Sequence, residues 1–122
     1  MRNFRELEVW KEAMEIVKQV YSITSTFPQV EKFGLVSQMN RSAISIASNI
    51  AEGCSRKSVV DFARFLEIAI GSSFELETQI LLSKDLNYTT SISADEIIIK
   101  LNTLQKRLNS FREKVLQFNS KN

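Results

Sequence analysis

The stretch IIIKLNTLQKRLNSFREKVLQF, Ile97 to Phe118, carries the most regular apolar pattern in the chain. Its apolar positions alternate three and four residues apart, and they are Ile97, Leu101, Leu104, Leu108, Phe111, Val115 and Phe118. This spacing places all of them on one face of a helix. The opening Ile-rich run is also compatible with a β-strand, but no other segment could pair with it. We therefore predict an amphipathic helix over about 94–119, which must bury its apolar face against other helices.

Three further segments carry apolar residues at helical spacing, and they run over about 4–25, 34–53 and 58–86. Pro28 separates the first two, because the residue before a proline avoids helical geometry and proline has no amide donor. With the helix over 94–119, they predict an all-α, up-down-up-down four-helix bundle. The whole chain, 1–122, would form one domain.

Capping residues indicate where these helices begin and end. Gly53 would close helix 2, because glycine readily adopts the left-handed conformation found just after many helices. Ser58 with Asp61, and Ser93 with Glu96, are capping pairs that would open helices 3 and 4.

Helix 1 has a wider apolar surface than one antiparallel neighbour requires. One stripe consists of Leu7, Trp10, Met14, Val17 and Tyr21, and the stripe beside it consists of Val9, Ala13, Ile16, Val20 and Ile23. Either the helix lies deep in the core of a monomer, or one stripe faces a second contact surface.

The composition argues against catalysis. The chain has no histidine and a single cysteine, Cys54, which excludes an internal disulfide, His-containing zinc sites and Ser-His or Cys-His nucleophile pairs. No cofactor, metal or small-molecule substrate is expected. The N-terminus lacks an apolar signal sequence and no segment is long enough to span a membrane, so we expect a cytoplasmic protein.

Five motifs follow one another in a fixed order. They are L-E-V-W (Leu7–Trp10), F-P-x-x-E-x-F-G-L (Phe27–Leu35), S-I-x-x-N-I-A-E-G (Ser45–Gly53), R-F-L-x-I-A-x-G-S (Arg64–Ser72) and E-L-E-T-Q (Glu75–Gln79). In this order they resemble the bacterial four-helix bundle proteins encoded in intervening sequences of large-subunit ribosomal RNA. The resemblance runs from about Phe4 to Tyr88, and the fourth helix matches only as a generic amphipathic helix.

This resemblance implies a left-handed four-helix bundle that assembles into a ring-shaped homopentamer. The chain is also similar to the accessory protein of diversity-generating retroelements, a pentameric barrel, which implies nucleic-acid binding. Two positions depart from the family pattern: Asn40 precedes Arg41 where many members have two arginines, and Ala47 stands where proline is common. The first departure removes one positive charge per subunit and weakens the expectation of nucleic-acid binding.

Helix 2 also carries a polar stripe beside its apolar one. We predict that its residues form a subunit contact or line a central channel, and they are Gln38, Arg41, Ser45, Asn49 and Glu52. The neighbouring small residues Ser42 and Ser48 would allow close approach of another backbone. The alternative is a hydrogen-bond network within one subunit, or plain exposure to solvent.

Charge is distributed unevenly between the last two helices: residues 61–90 carry two Lys or Arg against five Asp or Glu, and residues 91–122 carry six against three. The candidate nucleic-acid contacts on helix 4 are Lys100, Arg107, Lys114 and Lys121, which recur every seven residues, with Lys106 and Arg112 nearby. In one interpretation these cations pair with carboxylates of helix 3 or lie in water. In the other they face outward and bind phosphates once assembly multiplies the net charge of +2.

The sequence therefore predicts a non-catalytic homo-oligomeric scaffold, a pentamer by resemblance, that binds RNA or DNA through a basic outer surface. The alternative is a protein-only assembly or adaptor module without a nucleic-acid partner.

Overall fold

The computed structural model describes the backbone of residues 2–120 and the side chains of residues 2–118. Within this part of the chain there are four α-helices and no strand: α1 (Glu8–Thr24), α2 (Leu35–Gly53), α3 (Val59–Asp85) and α4 (Ser91–Ser120). Two short 3-10 turns, Phe4–Glu6 and Gln29–Glu31, precede α1 and α2. The predicted all-α class is confirmed.

The four helices pack in chain order around one core, and α4 returns to contact α1. Two polar contacts show that α2 and α3 run antiparallel. Ser45 contacts Ser72, whereas Met39, earlier in α2, contacts Ser83, later in α3.

The core contains most of the apolar faces that helical spacing predicts, but Phe118, the last residue of the predicted face of α4, is 62% exposed. On α4 the buried residues are Ala94, Ile97, Leu101, Leu104, Leu108 and Val115. On α1 the buried stripe is Val9, Ala13, Ile16 and Val20, whereas the neighbouring stripe is only half-buried. Its last residue, Tyr21, is 45% exposed. The excess apolar surface of α1 therefore reaches solvent in the single chain.

The N-terminal segment is not one continuous helix, although its apolar spacing continues without interruption. Leu7 has an extended backbone, with φ −75° and ψ 126°, between the 3-10 turn and α1. Asn3 caps the turn by accepting a hydrogen bond from the backbone N–H of Arg5, and Phe4 packs edge-on against Trp10 at 5.3 Å between ring centroids. The first α-helix consequently begins at Glu8, whereas the sequence pattern places its start near residue 4.

Gly53 is the last residue of α2, as predicted, but it does not adopt the predicted left-handed conformation. No glycine among the described residues has a positive φ. A Cβ atom at Gly53 would lie 2.9 Å from Cδ1 of Phe62 and 3.0 Å from Cβ of Phe65, both on α3. The glycine is thus required because the end of α2 approaches α3 too closely for any side chain.

The left-handed cap occurs at the end of α3 instead. Asn87 has φ 62°, its N–H donates to the Lys84 carbonyl at 3.1 Å, and the N–H of Tyr88 donates to the Ser83 carbonyl at 2.9 Å. This pair of bonds is the Schellman arrangement, in which asparagine replaces the commoner glycine.

The two predicted N-terminal caps have different outcomes. Ser58 caps α3 as predicted, because its hydroxyl accepts from the Asp61 N–H at 3.0 Å. Helix α4, however, begins three residues earlier than the predicted 94, and Thr90 Oγ1 accepts from the N–H of Ser93 at 3.1 Å. Thr90, and not Ser93, is the capping residue. Ile92, in the first turn of α4, is 74% exposed and does not belong to the buried apolar face. The spacing of that face therefore does not indicate the earlier start.

Glu31 joins the loop before α2 to the connection between α3 and α4. Its Oε1 accepts from the backbone N–H of Leu35 at 3.2 Å, and its Oε2 accepts from the Tyr88 hydroxyl at 2.9 Å. A Cβ at Gly34 would lie 2.8 Å from Glu31 Oε1, and Phe27 packs on the Tyr88 ring. These contacts account for the spacing of the Phe27–Leu35 motif, with the exception of Phe33.

Candidate interaction surfaces

Two residues of the predicted polar face of α2 take part in a hydrogen-bond network within the protomer. Ser45 Oγ lies 2.8 Å from Ser72 Oγ of α3. Asn49 donates through Nδ2 to the Ser45 carbonyl at 2.8 Å and to Ser45 Oγ at 3.0 Å. Both side chains are half-buried at the contact between α2 and α3.

The remaining residues of that face are exposed, and their polar contacts are with side chains of α2, its C-terminal turn and α3. Arg41 donates to Gln38 Oε1 at 2.8 Å, and its guanidinium lies 3.7 Å from the Glu75 carboxylate. Glu52 pairs with Arg56 at 3.2 Å, one turn further along the chain. Exposed pairs of this kind contribute little to stability, so these side chains remain available for other contacts.

The two predicted arginines of α4 are paired with carboxylates of other helices. Arg107 donates to Glu12 of α1. Arg112 donates to Glu67 of α3, and also to Glu113 at 2.9 Å. Only the Arg112 pair involves a carboxylate of helix 3. The Arg107 pair with helix 1 lies outside the set of partners that the sequence suggested.

The predicted lysines of α4 differ from the arginines. Lys100, Lys106 and Lys114 are exposed, and none of them has a carboxylate within 4.0 Å among the side chains of residues 2–118. Lys100 nevertheless borders the same cavity as Glu12 and Glu15. Lys121, also predicted as a nucleic-acid contact, lies outside the described residues.

An open groove between α1 and α2 exposes apolar side chains beside two of the predicted contacts of α2. We call it the α1–α2 groove, and its lining residues are Tyr21, Lys32, Phe33, Val36, Ser37, Asn40, Arg41, Ile44 and Ser45. Phe33 is 88% exposed and Ile44 is 42% exposed. The sequence identified Arg41 and Ser45 of this set as contacts, and Tyr21 as part of an apolar stripe that lies either in the core or at a second contact surface. The exposed Phe33 lies in one of the five motifs, but a phenylalanine in a loop has no periodicity that would separate surface from core.

A second groove lies between α3 and α4. We call it the α3–α4 groove, and it is lined by Phe74, Glu77, Thr78, Leu81, Asn102 and Gln105. Phe74 is 59% exposed and Leu81 is 44% exposed. Glu77 Oε1 accepts from the side-chain amides of Asn102 and Gln105, each at 2.9 Å. Its negative charge is therefore held in place by neutral donors.

The single cysteine is buried. Cys54 is 3% exposed, and its carbonyl accepts from the Arg2 N–H. Burial raises the pKa of the Cys54 thiol, and the nearby positive charge of Arg2 opposes this rise. A buried thiol with a raised pKa is a poor nucleophile.

The described residues offer neither a metal site nor a membrane-spanning helix. No group of three or more cysteine or carboxylate side chains in this part of the chain lies close enough to hold a metal ion. Among residues 2–120, no helix combines the length and the apolar character that crossing a bilayer requires.

These observations define the class: an all-α protein of four packed helices whose most distinctive surfaces are two grooves with exposed aromatic side chains. The chain belongs to the 23S rRNA-intervening sequence protein family, whose sequence profile matches residues 5–110. The motifs that indicated this family in the sequence are thereby confirmed.

A crystal structure with the same fold supports the assignment. It is that of a protein of unknown function from the S23 ribosomal protein family of Bacteroides thetaiotaomicron, with a TM-score of 0.77 and 25% sequence identity. The alignment covers 85% of this chain and 97% of that one. No curated protein matches the chain significantly.

Proposed function

We propose that the protein is a non-catalytic scaffold that assembles with further copies of itself into a ring of five left-handed four-helix bundles. The observation that carries the proposal is the α1–α2 groove. Phe33, Tyr21 and Ile44 expose a contiguous apolar surface to solvent, and a patch of this kind on a folded domain is typical of a protein contact. The number five follows from the family resemblance described above.

The polar face of α2 supports the same proposal, because it continues the groove. Arg41 and Ser45 line the groove directly. Gln38 is three residues from Arg41, Asn49 is four from Ser45, and Glu52 is three from Asn49, so they continue the same side of the helix. An apolar patch bordered by hydrogen-bonding side chains has the composition of a subunit interface. We therefore propose these five residues as part of the subunit contact.

Light scattering tests the assembly. Five copies of a 14.0 kDa chain give a mass of 5 × 14.0 = 70 kDa. Ser45→Arg should reduce the mass, because it would place an unpaired charge in the contact. Ser110→Arg, at an exposed position of α4, is the matched control and should keep the parent mass. A parent that stays at 14.0 kDa at every concentration would refute the proposal.

Nucleic-acid binding is a second candidate function, favoured by the unpaired lysines of α4. Lys100, Lys106 and Lys114 are exposed and lack close carboxylates within the described side chains, whereas both arginines are neutralised by glutamates. Repeated in each copy of an assembly, these lysines form a surface for the phosphates of RNA or DNA. We propose these three lysines as its principal contacts and Arg107 and Arg112 as weaker ones. Lys121, which lies outside the described residues, stays a predicted contact.

Salt dependence separates this candidate from a protein-only scaffold. With an RNA hairpin and a DNA duplex as probes, Lys106→Gln with Lys114→Gln should flatten the dependence of affinity on salt. The log–log slope should fall by about 0.9 for each duplex phosphate that the variant no longer neutralises. The control variant, Arg107→Gln with Arg112→Gln, removes the same number of positive charges. Both arginines already pair with glutamates, so this variant should change the slope less. Equal slopes for the parent and the lysine variant would leave the protein-only adaptor as the better account.

A further inference from the structure

We infer that the α1–α2 groove of one copy binds the α3–α4 groove of the next copy, so that subunits join head to tail through two different faces. This inference rests on the proposed assembly and adds to it the identity of the two contacting faces. It makes each subunit interface heterologous.

The apolar side chains of the two grooves match in kind and in exposure. The α1–α2 groove exposes Phe33, Tyr21 and Ile44, at 88%, 45% and 42%. The α3–α4 groove exposes Phe74 and Leu81, at 59% and 44%. Each groove therefore offers an aromatic anchor beside aliphatic surface. Aromatic side chains at the centre of a patch commonly dominate the binding energy of an interface.

The charges of the two grooves are opposite in sign. The charged residues lining the α1–α2 groove are Lys32 and Arg41, and the charged residue lining the α3–α4 groove is Glu77. Lys32 has no carboxylate within 4.0 Å among the described side chains. Glu77 is bound by two amides and by no cation in that same part of the chain. Two copies of the same groove would bring like charges together, whereas two different grooves bring opposite charges together.

The grooves also have the right placement for a closed assembly. They lie on different faces of the protomer: the first runs along α2 beside Tyr21 of α1, and the second lies between α3 and α4. They overlap in height along the bundle, although Phe33 precedes the overlapping segment of α2. The Met39–Ser83 and Ser45–Ser72 contacts place residues 39–45 of α2 level with residues 72–83 of α3. Successive copies could therefore join side by side without a step along the helix axis, and they close into a ring if each contact also turns the next copy by one fifth of a full circle.

Gly71 gives independent support for a close contact on α3. It lies inside a 27-residue helix, where glycine costs about 1 kcal/mol relative to alanine. A Cβ at this position would meet nothing within 4 Å in the protomer, so packing within one chain does not account for the glycine. Gly71 is on the same helical stripe as Phe74 and Thr78 of the α3–α4 groove. Close approach of a second copy explains its presence there.

Two variants that each disable one groove test the inference. Phe33→Asp puts a negative charge in the α1–α2 groove, and Phe74→Lys puts a positive charge in the α3–α4 groove. Each variant alone should be a 14.0 kDa monomer by light scattering. Mixed in equal amounts, they retain one intact groove of each kind and should form a complex of 2 × 14.0 = 28 kDa. Val60→Asp, at a 55% exposed position near the start of α3, is the control and should keep the parent mass.

The outcomes separate the inference from the proposed function. A monomeric parent refutes both. If the parent assembles but the single variants also remain assembled, the head-to-tail pairing is refuted. It is also refuted if the mixture of variants stays at 14.0 kDa, and in both cases self-assembly itself is still supported. Circular dichroism must show the parent's helical content in each variant. If either variant is unfolded, Ile44→Asp and Leu81→Lys, at 42% and 44% exposure, take the places of Phe33→Asp and Phe74→Lys.

Discussion

Replacing Gly53 by alanine is expected to destabilise the protein, although alanine is the better helix former. Gly53 is the last residue of α2 and its φ is not positive, so the backbone itself accepts alanine. The added methyl group, however, would lie 2.9 Å from Cδ1 of Phe62 and 3.0 Å from Cβ of Phe65. The Cβ of Phe65 cannot move without the α3 backbone. The Phe62 ring is 5% exposed and packs edge-on against Phe111 at 5.5 Å.

The magnitude follows from two opposing effects. Gly→Ala inside a helix stabilises by up to about 1 kcal/mol. Forcing a methyl group into a closely packed contact costs about 1–3 kcal/mol. Because Gly53 is at the helix end, the gain from helix propensity is reduced, and we expect a net decrease of about 1 kcal/mol in the free energy of unfolding. For a domain of this size that decrease lowers Tm by roughly 4 °C.

Gly71→Ala is the matched control, because it has the same chemistry without the contact. A Cβ at Gly71 meets nothing within 4 Å, so this variant should be more stable than the parent by up to about 1 kcal/mol. Urea unfolding followed by circular dichroism, at a protein concentration low enough for light scattering to show the single protomer, measures both. Gly53→Ala at or above the parent's stability would show that α2 and α3 can separate at this point, contrary to the reasoning.

Three other outcomes are expected. Tyr88→Phe should lower stability because it removes the hydrogen bond from the Tyr88 hydroxyl to Glu31. That bond raises the pKa of Tyr88, so the difference from the parent should shrink as the pH rises above the ordinary tyrosine pKa of about 10. Constant destabilisation across that rise in pH would contradict it. Asn40→Ala should lower the free energy of unfolding in urea by about 1–2 kcal/mol, because the hydroxyl of Thr24, a residue that is 4% exposed, donates to Asn40 Oδ1 at 3.0 Å. A decrease of less than about 0.3 kcal/mol in that free energy would contradict this expectation. A soluble disulfide reagent should modify Cys54 at least about 100-fold more slowly in the native protein than in urea, since the thiol is buried, and equal rates would contradict it.

The helices were largely predictable because their evidence is local. Apolar residues three and four positions apart must share a helical face, and that face must be buried. Ser58 acts as a cap within one turn of its own position. The family motifs are also linear patterns, so they can be recognised without knowledge of any contact. The cap at Thr90 and the extended backbone of Leu7 were not predicted, because apolar periodicity contains no information about a capping residue or a single extended residue.

The polar contacts of α4 were predictable only in part. The seven-residue recurrence correctly places Lys100, Arg107 and Lys114 along one side of the helix, but it does not say which helix faces them. Arg107 pairs with Glu12, which is 95 residues distant in the chain. Pairing between charges so far apart depends on the order in which the helices surround the core.

The exposed grooves depended entirely on tertiary packing. Tyr21 ends an apolar stripe that resembles core, and Phe33 lies in a loop. Whether such a side chain is buried depends on where the neighbouring helices end. The spacing of apolar residues along the chain does not give that information. The same is true of Gly53, whose role comes from its distance to Phe62 and not from its own backbone conformation. Periodicity therefore establishes which faces of each helix turn inward, and the packing of the helices against one another determines which apolar and charged side chains remain for a partner.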